Sequence, residues 1–399
     1  MDELTYKALE VESLIALLAG YVQSPLGRAR VERLTFSTDA SEIDRNLDLT
    51  SECRDHLTSF GGFSLSGITD PEGCVAQLAI TDARLDPHQI IVLERLLSVG
   101  VDLRGLIGEP ELRGRFPRLA AVTGNIPDLR RVLATFRGKI LPNGEIDDSA
   151  SPTLRRIRRE INERRAHIYR SLESLMRDHA TSIQEEIVTI RSGRFVVPVR
   201  TDSRGQVQGV VHGLSSSGQT TYVEPLNVIN QNNDLVRLHE EEEIEISRIL
   251  MEISETLRAN LPAIRATIDA AAEVDYTQAK ARLALDFNCV RPKVSLNHSL
   301  VIRNARHLLL ENMLRRSGGT IVPVSLEMDE AHQVLVISGP NAGGKTVVLK
   351  TVGLLIAMAQ MGLHVPAEEA ALPLSEQVFA DIGDQQSIAA NLSTFTAHM

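Results

Sequence analysis

The sequence predicts a multidomain, mainly α protein. It comprises a helical core, a long antiparallel helical hairpin with a small β head at its tip, and part of an α/β domain at the end. Three observations carry that prediction. Two long stripes of apolar residues at helical spacing flank a β-branched stretch punctuated by turns. The residues ahead of them read as short helices. The residues after about 290 alternate strand-like and helix-like runs around a glycine-rich loop.

Residues 1–150 are read as the helical core. "SLIALLAG" runs into a turn at "SPLG", and Ile90 to Leu97 keep an apolar face at helical spacing. "LPNGEIDDSASP" collects the residues that mark a boundary. Residues 151–189 form the first arm helix, with Leu154, Ile157, Ile161, Ile168, Leu172 and Leu175 as a coiled-coil-like seam. Residues 190–226 form the β head, its strands broken at "SRGQ" and "SSSGQ". Residues 227–289 return as helix, with Leu235, Leu238, Ile246, Ile249, Ile253, Leu257, Leu261, Ile264 and Ile268 as the second stripe. At about 1.5 Å per residue the arm is expected to reach roughly 45–60 Å. Residues 290–399 are read as the incomplete α/β domain.

Bulk composition sets outer limits. A chain of 399 residues holds two or three domains with proper cores. Hydrophobic content of 43% and charged content of 24% are ordinary for globular protein. No apolar run reaches the roughly 18 residues of a membrane span, and the acidic N-terminus lacks the basic start and cleavage site of a signal peptide. Cys53, Cys74 and Cys289 fit no metal or disulfide spacing and read as buried small hydrophobes in a reducing compartment. A cytoplasmic protein with no membrane partner is expected. Net charge of −10 excludes an indiscriminate nucleic-acid coat but leaves room for a local basic patch.

Two readings stand for the arginine run Arg155, Arg156, Arg158, Arg159, Arg164 and Arg165. It pairs with the acidic returning helix (Glu240 to Glu243, Glu245), or it contacts nucleic acid. The head offers Arg191, Arg194, Arg200 and Arg204 against Asp202, with glycines and serines able to approach a backbone. Nucleic-acid phosphate contact by these four arginines is expected there, against a merely solvated head.

The loop "SGPNAGGKT" carries the chemistry. Gly339, Gly344, Lys345 and Thr346 satisfy G-x-x-x-x-G-K-[ST], with the apolar "VLVIS" before and "VVLKTVGLLIAMA" after, so a buried strand, a loop and a helix are expected. Glycines at 339, 343 and 344 let the backbone N–H groups of Gly339, Pro340's successors Asn341 and Ala342, Gly343 and Gly344 turn toward phosphates. The following helix adds its positive N-terminal end. Lys345 is assigned to the β- and γ-phosphates of ATP and Thr346 to Mg²⁺, the two residues expected to act catalytically.

That loop resembles the Walker A loop of the MutS family, in which Pro-Asn after the first glycine and a double glycine before lysine are typical. "DIGDQQSIAANLSTFTAHM" resembles the family's signature region. "ARHLLLENM" resembles its Arg-His-Pro lead-in, with Leu308 where proline is usual. None of the nine phenylalanines is followed two places later by Glu, so the mismatch-sensing wedge is absent. "KALEVESLIALLAGYVQSPLG" and the head sequence are instead similar to the second subfamily, whose full-length members end in a Smr nuclease domain. The resemblance implies an ABC-type ATPase domain, with a lever and clamp ahead of it and a homodimer in which Ser393 and Thr394 meet the partner's nucleotide in trans. A helix N-cap with no ligand is the alternative for that Ser-Thr pair. It also implies binding of branched DNA and suppression of recombination, or action at collided ribosomes through ribosomal RNA, with an endonuclease in the full-length protein.

A loop of this kind works with a hydrophobic strand ending in Asp-Glu. Asp381 and Asp384 in "FADIGDQQS" do not sit in one, so the chain reads as cut short of that strand, with weak nucleotide binding and little hydrolysis. A chromosome-organising ATPase is the competing class, disfavoured because its loop precedes its coiled coil. A non-enzymatic docking module is the third, disfavoured by the intact Lys345 and Thr346.

Overall fold

The computed structural model describes residues 2–106, 108–296, 299–340 and 344–382. In chain order its first helices are α1 (Glu3–Ala8), α2 (Val11–Ala19), α3 (Pro25–Glu32), α4 (Ala40–Phe60), α5 (Glu72–Leu78), α6 (Pro87–Leu106), α7 (Pro110–Arg115), α8 (Pro117–Gly124) and α9 (Arg130–Phe136). The long α10 (Pro152–Asp178) leads to strands β1 (Thr189–Arg191), β2 (Arg194–Arg200), β3 (Gly209–Leu214) and β4 (Thr220–Pro225). Then follow α11 (Ile229–Ala259), α12 (Leu261–Asp286), β5 (Lys293–Ser295), β6 (Leu300–Ala305), α13 (Leu308–Ser317), β7 (Val324–Met328), α14 (Lys345–Gln360) and β8 (Glu369–Pro373). Among the described residues no helix is long and apolar enough to cross a membrane, and Cys53, Cys74 and Cys289 are buried and form no disulfide.

The chain divides into two compact units. One comprises residues 74–91 and 132–260 and is built on the pair α10 and α11. Ser151 starts α10: its Oγ accepts from the Leu154 N–H at 3.0 Å, and Pro152 follows at the first helical position, where its missing N–H costs nothing. Leu154, Ile157, Ile161, Ile168 and Leu172 are buried as their spacing predicts. Met176, rather than Leu175, closes the seam, because 3.6 residues per turn carry a four-residue step from Leu172 further inward. The two helices run antiparallel, as their cross-links show: Ser151 with Glu245 at 2.6 Å, Arg158 with Glu242 at 2.7 Å, Arg164 with Asp234 at 3.7 Å.

The head is an antiparallel sheet in the order β1-β2-β4-β3. Ser192 (φ 51) and Gly193 (φ 75) join β1 to β2 in a two-residue turn with both residues left-handed, which matches the right-handed twist of the strands. Phe195, Val197, Val199 and Val223 pack into one core with Ile168, Leu172, Leu235 and Leu238 of the arm helices.

The other unit comprises the described residues within 1–73, 92–131 and 261–399. The second apolar stripe is therefore interrupted: α11 ends at Ala259 with Asn260 as its C-cap, and Leu261-Pro262 opens α12. Along α12 even polar residues are buried. The Asp275 carboxylate accepts from the Ser24 N–H at 2.8 Å and Ser24 Oγ at 2.6 Å, so "SPLG" is not a turn but the start of α3, with Ser24 as its N-cap. Leu9, Leu14 and Leu18 pack in a core with Leu283, Ile302, Leu308, Leu354, Leu355, Met358 and Leu372.

The second sheet has the order β5-β8-β6-β7, with β5 parallel to β8 and the other pairs antiparallel. One expectation is corrected here. The "VLVIS" run before the loop is not a buried strand: residues 332–338 are irregular, and Val334, Leu335 and Val336 are 82%, 47% and 83% exposed. A central strand needs a ladder partner, and among the described residues this segment has none, so its backbone stays in water.

Candidate nucleotide and nucleic-acid sites

The glycine-rich loop opens directly into α14, a helix of 16 residues whose first residue is Lys345. Gly344 stands at the N-cap with φ 79 and no side-chain cap, a backbone state in which any Cβ is strained. The first-turn N–H groups are thus left for something other than a capping side chain. Lys345 Nζ folds back to donate to the Gly339 carbonyl, and Gly339 itself has φ 151. Thr346 is half-buried in the first turn. Asn341, Ala342 and Gly343 lie outside the described residues, as do Ser393 and Thr394. Among the described residues no group of three or more His, Cys, Asp or Glu side chains is arranged to hold a metal ion.

Behind the loop, α14 is gripped by the N-terminal turn. Lys350 Nζ donates to Glu10 Oε1 at 2.8 Å, and the Lys350 side chain is only 5% exposed. One turn on, a Cβ at Gly353 would lie 2.6 Å from Leu9 Cδ2, so any larger residue there would force the Leu9 side chain to shift. His307, in the "ARH" lead-in, caps α13 through Nδ1, which accepts from the Leu310 N–H at 3.4 Å. Burial pulls its pKa down to about 4, so it is neutral. Leu308 is fully buried at the first position of α13, a place that proline also tolerates, so the departure from Arg-His-Pro leaves the helix start intact.

The structure separates the four head arginines. Arg194 is held internally: Nη1 donates to Glu224 Oε1 at 2.8 Å and Nη2 to Asn233 Oδ1 at 2.7 Å. Glu224, 2% exposed, also takes Asn232 Nδ2 at 2.8 Å, and its Oε2 lies 2.7 Å from His212 Nε2. Arg191 lies over the Tyr222 ring, 4.3 Å from its centroid. Arg200 sits 3.7 Å from Asp202 with half its side chain exposed, and Arg204 is exposed. Arg191, Arg200 and Arg204 therefore remain at the surface of the head, while Arg194 knits β2, β4 and α11 together.

The arginine run on α10 is largely engaged in ion pairs. Arg158 bridges Glu242 and Asp148, Arg164 reaches Asp234, and Arg156 and Arg159 pair along the helix with Glu160 and Glu163. A separate groove of about 1350 Å³ is lined by Arg30, Arg33, Arg45 and Arg118 together with Asp39, Glu42 and Glu273; none of the described loop residues borders it.

Glu10, Lys350 and Glu224 escaped the reading of the sequence. A signal for Lys350 was available: a lone charge inside the apolar helical run "VVLKTVGLLIAMA" must find a buried partner. Nothing local marks Glu10, whose partner lies 340 residues away.

Comparison with known proteins agrees with the loop and its surroundings. The family model described as MutS domain V matches residues 335–399. The chain is 36% identical over 402 residues to the Endonuclease MutS2 of Ruminiclostridium cellulolyticum, covering 100% of this chain and 50% of that protein. It is 37% identical over 401 residues to the Endonuclease MutS2 of Symbiobacterium thermophilum (100% and 49%). The protein of the same name from Acetivibrio thermocellus matches at 34% over 403 residues (100% and 50%). The chain spans about half the length of the curated relatives it matches. With similarity running along the whole chain, from the N-terminal helices through the arm to the glycine-rich loop, it belongs to the MutS family and is of MutS2 type.

Proposed function

We propose that this chain is the nucleotide-gated clamp portion of a MutS2-type protein that binds branched DNA and suppresses recombination. The observation that carries the reading is the joining, in one chain, of a phosphate-binding sequence at an uncapped helix start with a helical arm that ends in an arginine-bearing sheet. The α10–α11 pair serves as the lever and the β1–β4 sheet as the clamp.

The described residues fit a nucleoside triphosphate. Gly344 leaves the helix N-terminus open, the α14 dipole favours negative charge there, and Lys345, whose Nζ donates to the Gly339 carbonyl, brings a cation to the same end. Gly339, Pro340, Asn341, Ala342, Gly343 and Gly344 would cradle the phosphates, and Lys345 would hold the β- and γ-phosphates. Thr346 supplies one hydroxyl for Mg²⁺, which when bound would neutralise charge on those phosphates. Ser393 and Thr394 of a second copy would complete the site in a homodimer, as positioned hydroxyl donors.

At the clamp, Arg191, Arg200 and Arg204 contact DNA phosphates, while Arg194 keeps the sheet in shape. The endonuclease activity that the relatives' name records belongs, in this reading, to the half of those proteins that this chain does not span.

The test is equilibrium binding of the intact protein to a four-way junction, a linear duplex and ribosomes, each with and without ATP. Preferential, ATP-sensitive binding of the junction supports the reading. Preference for ribosomes moves the substrate to ribosomal RNA, and indifference to all three overturns the clamp.

A further inference from the structure

Helix α14 is unevenly anchored. Gly344 to Val348 are only half-buried, and Leu349 is 53% exposed, so among the described residues the end that carries Lys345 and Thr346 has no fully buried apolar side chain. The apolar anchors Leu354, Leu355, Ala357 and Met358 lie in the second half of the helix. From Leu354 back to Lys345 is about 13 Å, so a tilt of roughly 5° about those anchors displaces the phosphate end by about 1 Å. Misplacement on that scale costs on the order of 100-fold in a positioned site. Lys350 is the first fully buried side chain after the loop, and it is charged.

We propose that the Lys350–Glu10 ion pair, buried at Lys350 and half-buried at Glu10, is a positioning device for the phosphate loop, fixing the tilt of α14 so that Lys345 and Thr346 meet the nucleotide in register. The proposal rests on the nucleotide-site reading of Gly339–Thr346. Lys350 follows Thr346 by four residues, one helical turn further along the same face, so a constraint on one is transmitted directly to the other. Glu10 is a rigid partner. Its backbone sits at φ 55, its N–H donates to the Lys7 carbonyl at 3.0 Å, and its carbonyl accepts from the Leu14 N–H at 3.2 Å. Its neighbour Leu9 packs against Gly353, where an added Cβ would lie 2.6 Å from Leu9 Cδ2. The consecutive residues Leu9 and Glu10 therefore hold α14 at two points a turn apart. The same N-terminal helix reaches the stretch beyond β8, where Thr5 Oγ1 accepts from the Ala380 N–H at 3.0 Å.

The chemistry of the pair favours orientation over stability. A buried ion pair replaced by apolar residues of similar volume often leaves stability unchanged, because the desolvation cost disappears with the attraction. An apolar contact slides, whereas a charge-assisted hydrogen bond fixes both distance and direction. Lys350 is thus a positioning residue, acting through the helix that bears Lys345 and Thr346.

The experiment measures ATP affinity and thermal midpoint together on the intact protein, for wild type, Lys345→Ala, Lys350→Arg, Glu10→Asp and the double variant Glu10→Gln/Lys350→Met. The double variant removes both charges and strands neither. It is expected to keep its thermal midpoint within a few degrees while binding ATP about tenfold or more weakly, with Lys350→Arg within about twofold of wild type. If the double variant does not fold, Glu10→Asp serves, since it keeps the charge but shortens its reach; weakened ATP binding by a folded protein is the expected result. ATP affinity within twofold of wild type in either folded variant overturns the proposal. A wild type whose ATP binding is absent or indifferent to Lys345→Ala overturns the nucleotide-site reading and this inference with it.

Discussion

Arg194 Nη1 donates to Glu224 Oε1 at 2.8 Å within the head sheet, and Glu224 is 2% exposed. The pair spans β2 and β4, and Asn232 at the start of α11 joins it through a 2.8 Å hydrogen bond to the same oxygen. A basic residue that reads in sequence as a nucleic-acid contact is thereby part of the sheet's framework.

Arg194→Ala is accordingly predicted to destabilise the head, because it leaves a buried carboxylate short of its cation. The expected loss is about 3 kcal/mol, at the lower end for breaking a buried pair since Asn232 and His212 remain. Arg204→Ala should stay within about 0.5 kcal/mol of wild type in stability. It should weaken nucleic-acid binding uniformly and lower the salt slope by about one. Chemical denaturation and salt-dependent binding check the pair; equal effects of both variants on stability would contradict it.

Lys280 concerns stability alone. It is fully buried on α12, its Nζ has no hydrogen-bond partner among the described residues, and it lies 4.3 Å from the Tyr276 ring centroid. Burial pulls its pKa down from the usual lysine value to about 8. The folded state therefore resists the proton that the unfolded chain holds. That penalty, roughly 3 kcal/mol, is fully present below pH 8 and is relieved as pH rises toward 10.5. Lys280→Met should raise stability at pH 7 by about 2 kcal/mol, with the gain fading above pH 8. Loss of stability at pH 7 on denaturant titration would sink this account.

Of the three buried histidines among the described residues, His307 and His364 carry the largest pKa shifts and dominate the acid limit. Burial lowers the pKa of both His307 and His364 to about 4, and His364 Nε2 lies 3.0 Å from Ser51 Oγ and 3.2 Å from the Leu47 carbonyl. Each folded-state value lies below the unfolded value of about 6.5, so the unfolded chain binds more protons between them. Stability should hold above pH 6.5 and fall as pH drops toward 4, by roughly 3 kcal/mol per histidine. Thermal midpoints against pH provide the check. His364→Gln should flatten the slope by about half, and an unchanged slope would contradict the assignment.

The hairpin and the loop helix were legible because periodicity reports burial directly. The run from Leu154 to Leu172 is buried as spaced, and "SLIALLAG" ends a helix as expected, whereas "SPLG", read as a turn, is the capped start of α3. The break at Asn260 was not legible, since apolar spacing continues through Leu261 and Ile264 and only Pro262 hints at a new helix. The "VLVIS" run carries strand propensity, but a strand exists only with a partner, and propensity cannot supply one. The roles of Arg194 and Lys350 were hidden for a related reason. Each depends on a carboxylate brought in by tertiary structure, Glu224 from the next strand in the sheet and Glu10 from the other end of the chain.

The central claim is that nucleotide at Gly339–Thr346 governs the grip of the arm on branched DNA. It is tested most directly by the affinity of the intact protein for a four-way junction with and without ATP, in wild type and in Lys345→Ala. The account predicts an ATP-dependent shift of about fivefold or more in wild type, within the usual range of coupling between sites, and none in the variant. Identical ATP responses in both proteins would contradict it.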